Sequence, residues 1–157
     1  MGLNYELLVD RPDLVPMVID WWYTVWGDRM GPDRDKNIHQ LASSLSSGDL
    51  PIHVLAVLNG IYVGSAALKL QELGDVYPSN QYWLGSVFVM ERYRGSRIAS
   101  AMTMKIVKMA RERNLPHLYL QTINLNGGLY SELGWQVIEQ FNYKDEDTLL
   151  MMKTLGL

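Results

Sequence analysis

VFVMERYRGSRIASAM, residues 87 to 102, passes from an apolar run through an Arg/Gly/Ser turn into apolar residues at helical spacing. A strand that turns directly into a helix makes a place for an anion. The first helical turn leaves backbone N–H groups without intrahelical partners, and the aligned peptide dipoles add positive potential there. Gly95 lets the backbone bend, Ser96 and Ser100 offer hydroxyl donors, and Arg94 and Arg97 offer charge-assisted donors. The plainer reading is a capped turn flanked by solvated arginines, and on this short string alone both readings stand.

The flanking segments sharpen the choice. Upstream, His53 to Leu58 and Ile61 to Leu68 are β-rich runs joined by Asn59-Gly60, a pair that tolerates the two positive φ angles of a type I′ turn, so a tight antiparallel hairpin is expected. A loop over Glu72 to Asn80 leads to a strand from Tyr82 to Met90. Downstream, Ile98, Met102, Ile106, Met109 and Ala110 mark one helix face. Leu118 to Gln121 reads as a strand and Leu125 to Leu133 as a short helix. Trp135 to Tyr143 and Thr148 to Met152 read as two strands around the turn Lys144 to Asp147. At the front, Tyr5 to Val9 is a strand, a helix containing Leu14, Val18, Trp21, Trp22, Val25 and Trp26 stops near Gly27, and Asp35 to Leu45 forms a second helix. The order is βααβββαβαββ, an α/β (α+β) arrangement of about seven strands with a strand–helix–strand crossover at its centre.

Composition narrows the class. With 157 residues, 48% apolar and 20% charged, the chain has the size and balance of one globular domain, expected over residues 1–157. No apolar run approaches the roughly 20 residues a membrane span needs, and MGLNYELLVD lacks a basic and then apolar leader pattern, so the expectation is a soluble, cytoplasmic protein without a membrane partner. No cysteine is present, which excludes disulfides and thiolate chemistry; His39, His53 and His117 are scattered and suggest no metal. A net charge of -3 gives no reason to expect nucleic acid. The nine methionines read as adaptable core filling.

The element order, VFVMERYRGSRIASAM and the later LYSELGW (residues 129–135) together resemble the GNAT N-acetyltransferase superfamily, over roughly residues 3 to 154. Its signature at the strand–helix junction is Gln/Arg-x-x-Gly-x-Gly/Ala. Arg94 matches the first position and Ala99 the last, while Arg97 stands where glycine is usual, which requires its backbone N–H to face the phosphate with the side chain turned outward. The resemblance implies a mixed, mostly antiparallel sheet with helices on both faces. It also implies acetyl-CoA as co-substrate, with the pyrophosphate on the backbone amides of Arg94, Gly95, Ser96, Arg97, Ile98, Ala99 and Ser100. The pantetheine arm would run beside Val87, Phe88 and Val89, and the thioester would lie where that strand parts from the strand at Leu118 to Gln121. Asn124 and Asn126 lie near the position of a frequent family asparagine and are expected to touch CoA or to cap the short helix, where Gly127-Gly128 is unfavourable.

Two chemical tasks follow. A lysine-like amine of pKa about 10.4 is neutral in only roughly one molecule in 10³ at pH 7, so its deprotonation costs about 4 to 5 kcal/mol; an α-amine near 8 needs far less help. Candidate bases are Glu72, Asp75, Glu91 and, through water, Tyr82. The second task is to stabilise the leaving thiolate, for which the resemblance implies Tyr130. A phenol near 10 is a weaker acid than a thiol near 8.5, so hydrogen bonding rather than full proton transfer is the expected role. At helical spacing Trp22 and Trp26 read as core. In the superfamily the segment Trp26 to Asp35 often walls the acceptor site, where Asp28, Asp33 and Asp35 would favour a cationic acceptor. The expected function is acetyl transfer to a primary amine of a small molecule or peptide. The competing readings are a non-catalytic acyl-CoA-binding or regulatory module of the same fold, and a different nucleotide-binding α/β domain. The acceptor and the oligomeric state stay open, a homodimer among the candidates.

Overall fold

Asn59 and Gly60 make the turn that their residue types demand, with φ of 49° and 84°. In the computed structural model of the chain, which describes residues 2–156, this turn joins β2 (Ile52–Leu58) to β3 (Ile61–Lys69). β1 (Leu3–Leu7) pairs antiparallel with β2, and β4 (Trp83–Val89) antiparallel with β3. β5 (His117–Thr122) lies parallel to β4. The hairpin of β6 (Gln136–Tyr143) and β7 (Glu146–Thr154) completes a seven-stranded sheet in the order β1-β2-β3-β4-β5-β7-β6.

Helices cover both faces. α3 (Ile98–Glu112) turns Ile98, Met102, Ile106 and Ala110 onto Val54, Val63 and Leu118. Each such fully buried large side chain contributes about 1.5–3 kcal/mol, so this stripe rather than intrinsic propensity holds the helix. On the opposite face α1 (Val15–Met30) and α2 (Arg34–Ser44) pack Val15, Val18, Ile19 and Leu41 over Leu55 and Phe88. Asp33 caps α2, accepting from the Lys36 N–H at 3.0 Å. No helix among the described residues is long and apolar enough to cross a membrane.

Several boundaries differ from the sequence expectation. β1 ends at Leu7 because Leu8 turns fully inward within a short 3-10 turn, Leu8–Asp10. α1 passes through Gly27 with a distortion at Trp26 (φ −122°, ψ 18°) and stops only at Gly31, whose φ of 79° suits glycine. Trp21, stacked on Phe88 at 5.5 Å between ring centres, is the buried tryptophan of the helix. Trp22 and Trp26, expected in the core, are half-buried. α4 is reduced to Gly128–Glu132 because Gly127 and Gly128 both take positive φ. The last turn tightens to Lys144-Asp145, again with positive φ at both residues, which lets β7 begin at Glu146.

His53 on β2 is buried against Trp22, ring centres 5.7 Å apart. Burial, and then the nearby Lys69 charge, pull its imidazole down to about 3. The unfolded chain, with a histidine near 6.5, therefore binds the proton more readily than the folded one. Stability should fall on acidification through the window from about 6.5 down to 3, by about 1.4 kcal/mol per pH unit. Urea titrations of the wild type and His53→Leu across this range check it: the variant is expected to lose this component of the slope.

Candidate active site

β4 and β5 share a single registered pair, Trp83 with Tyr119, and the Tyr119 N–H donates to the Tyr82 carbonyl at 2.9 Å. Beyond that point they part. The cause lies on the other edge of β4, where the register steps from Ala67↔Gly85 to Ser65↔Phe88, an extra residue on β4. Such a bulge bends the strand that carries it. Ser86 takes φ 53° in the bulge. The fully buried Ser65 hydroxyl donates to the Ser86 carbonyl at 2.9 Å and accepts from the Trp22 indole N–H at 3.0 Å.

The parted strands bound a cavity of about 270 Å³ between Gly85 to Val87 on β4 and Leu120 and Gln121 on β5. Trp26 and Arg29 of α1, Glu72 and Tyr130 complete its wall. Glu72 lies over Gly85 so closely that a Cβ there would stand 2.2 Å from its Oε2. That oxygen is buried; Lys69 Nζ at 3.0 Å gives it a countercharge without the alignment of a hydrogen bond. Arg29 is tied to Glu146 at 2.6 Å, from α1 to the start of β7.

A second cavity, of about 450 Å³, lies between the end of β4, the first turn of α3 and α4, and the residues from Gly95 to Ser100 other than Ser96 line it with Val87, Val89 and Arg94. Gly95 has φ 86° and open space where a side chain would stand. Arg97 adopts φ 66° and ψ 20°, the left-handed conformation of a glycine, as the residue before α3. The backbone geometry that glycine usually supplies is thus kept by an arginine, at a cost of about 1–2 kcal/mol. Arg94 turns its Nε–H back to the Val89 carbonyl at 2.8 Å, its guanidinium 5.7 Å from the Phe88 ring centre. Ser96 donates to the Tyr93 carbonyl.

Tyr130 lines both cavities. Burial pushes its hydroxyl up to about 12. Its ring packs edge-on against Trp135, 6.1 Å between centres.

The remaining candidates lie elsewhere. Phe88 faces α1 and lines neither cavity. Glu91 is exposed on the 3-10 turn Glu91–Tyr93. Tyr82 packs on His117 at 5.9 Å, outside both cavities, and Asp75 accepts from the Tyr143 hydroxyl at 3.0 Å. Asn126 Oδ1 accepts the Gly128 N–H at 2.9 Å, and Asn124 Oδ1 accepts the Asn126 N–H at 3.4 Å, so both shape the entry to α4. Asp33 is spent on its cap and Asp35 is exposed in the first turn of α2. Asp28 sits at an outer hollow with Arg29, Lys144, Asp145 and Glu146. Ser65, Ser86, Gln121 and Arg29 carry no local sequence motif that marks them for this site. Gly85 inside a strand pattern was the available signal, since such a glycine marks a bulge or a close approach. Among the described residues no three His, Cys, Asp or Glu side chains form a metal-binding group.

The sheet is mostly antiparallel and parts at the parallel β4–β5 pair, with the turn from Arg94 to Ser100 beside the gap. The chain belongs to the acetyltransferase (GNAT) family, whose profile matches residues 12–135. No curated protein sequence matches it significantly. Among solved structures, an aminoglycoside 6'-acetyltransferase type Ii superposes with TM-score 0.74 at 19% identity, over 100% of this chain and 99% of that one. An aminoglycoside 6'-N-acetyltransferase complexed with coenzyme A gives 0.73 at 17%, over 100% and 98%. A GNAT-family acetyltransferase from Streptococcus pneumoniae gives 0.74 at 20%, over 98% and 99%. At these identities the likeness is one of fold.

Replacing Arg97 by glycine should relieve its left-handed backbone. After the greater unfolded-state entropy of glycine is set against that relief, Arg97→Gly is expected to raise stability by about 0.5–1 kcal/mol, read from the urea midpoint.

Proposed function

We propose that the protein transfers an acetyl group from acetyl-CoA directly to a primary amine of a small molecule or peptide. The observation that carries this reading is Tyr130 at the junction of the amide-lined turn and the cleft that holds Glu72. The turn offers what a pyrophosphate needs: N–H groups at the start of α3 and an open approach at Gly95. Along the cleft, the edge of β4 freed from β5 offers backbone groups to an extended pantetheine arm, in the manner of an added strand.

The reaction forms a C–N bond at the thioester carbon and breaks the C–S bond. The Val87 N–H stabilises negative charge on the carbonyl oxygen as the amine attacks. Glu72 accepts the proton that the amine loses, and Lys69 balances its charge. The sulfur leaves with the bonding electron pair and Tyr130 hydrogen-bonds to it. With the phenol at about 12 and a thiol near 8.5, full transfer of its proton would run uphill by about 5 kcal/mol, so Tyr130 stays protonated and the thiolate takes its proton from solvent or from the carboxyl of Glu72, which releases the one it received from the amine.

Acetyl-CoA affinity by calorimetry and CoA release across polyamines, aminoglycosides, amino acids and peptide N-termini test the reading. Tyr130→Phe is expected to lower kcat about 10²-fold at unchanged acetyl-CoA affinity. Binding without CoA release to any acceptor would leave the non-catalytic module. In the pH profile, kcat/KM should rise about tenfold per unit below the pKa of the acceptor amine and then level off. No falling limb from Tyr130 is expected up to pH 10, because its hydroxyl titrates near 12.

A further inference from the structure

The peptide unit joining Ser86 to Val87 has two functional ends. It is planar and trans, so the Ser86 carbonyl and the Val87 N–H point in opposite directions. Ser65 on β3 holds the carbonyl end at 2.9 Å. The Val87 N–H therefore points away from β3, toward the side on which Val87 lines both cavities.

The direction of the Ser65 hydroxyl is itself determined. An indole N–H can only donate, so the 3.0 Å contact from Trp22 Nε1 makes Ser65 Oγ an acceptor there and leaves its single hydrogen for the Ser86 carbonyl. Ser65 is fully buried, so no solvent competes for that hydrogen. Ser86 at φ 53° is in a region that non-glycine residues seldom occupy, and a local constraint is needed to keep it there.

We infer that Ser65, directed by Trp22, is a positioning residue for acyl transfer: it fixes the Ser86–Val87 peptide so that the Val87 N–H is held on the thioester carbonyl oxygen. Neither side chain touches the substrate. The inference rests on the transferase reading above and assigns the orientation of its oxyanion donor to a buried Trp22–Ser65–Ser86 latch between α1, β3 and β4.

The test needs no acceptor. Acetyl-CoA labelled with ¹³C at the carbonyl is bound to the wild type, Ser65→Ala, Ser65→Thr and Trp22→Phe, and the thioester C=O stretch is read by difference infrared spectroscopy. Affinity for CoA, which has no carbonyl at sulfur, is measured in parallel by calorimetry. The wild-type stretch is expected below that of free acetyl-CoA. Ser65→Ala should return it toward the free value, Ser65→Thr should keep the shift through its hydroxyl, and Trp22→Phe should fall between. CoA affinity should stay within about threefold throughout, and with an acceptor found by the screen kcat of Ser65→Ala should drop about tenfold, less than the 10²–10³ typical of losing such a donor outright. A stretch unmoved in Ser65→Ala and Trp22→Phe, or CoA affinity lost in step with the shift, overturns the latch. Failure of the wild type to bind acetyl-CoA at all overturns the transferase reading instead.

Discussion

β4 and β5 meet at Trp83 and Tyr119 and then separate, leaving strand edges open in the middle of a sheet. Unpaired backbone N–H and C=O groups are costly when buried, so a sheet closes such a gap unless something prevents it. Here the obstacle is the bulge in β4, whose extra residue is absorbed at Ser86 and held by the Ser65 hydroxyl. Every element of the candidate site depends on that opening. The cleft is the gap itself, Val87 lines it because the strand has turned, and the start of α3 stands at its end because β4 leads directly into that helix.

The charges around the cleft follow from packing rather than from the count of acids in the chain. Asp33 caps a helix and Asp35 faces outward, while the carboxylate within the cleft is Glu72, seated where Gly85 has no side chain. Arg29 and Lys69 accompany it, each paired with a carboxylate. Partial burial raises the Tyr130 hydroxyl from near 10 to about 12, so it stays protonated and a hydrogen-bond donor even in alkaline solution. Within the transferase reading, this separates the roles of the two groups: a carboxylate to receive a proton, and a phenol that retains one.

Much of the fold was legible in the sequence where local chemistry leaves one option. Asn59-Gly60 admits a tight turn, and the spacing of Ile98, Met102 and Ile106 admits one buried helix face. The limits of elements were legible only where a local stop exists. Gly27 resembled a stop, but tertiary packing carries α1 on to Gly31; Gly127 and Gly128 shortened α4 because both left the helical region. Among the candidate bases, residues of one type diverged: Glu72 entered the cleft and Glu91 stayed in solvent, although both follow strands in the chain.

The amino-acid sequence by itself determined the element order, the hairpin, and the turn from Arg94 to Ser100 at the head of a helix, because each of these follows from φ preferences and periodicity within a few residues. It also carried the family resemblance. Only the tertiary structure decided that Arg97 takes a glycine conformation and that Tyr130 joins two cavities. It likewise decided that Trp22, Ser65 and Ser86, far apart in the chain, form one hydrogen-bonded line. These are products of register and of helix placement on the sheet, and a one-residue shift in either would turn Ser65 away from Ser86.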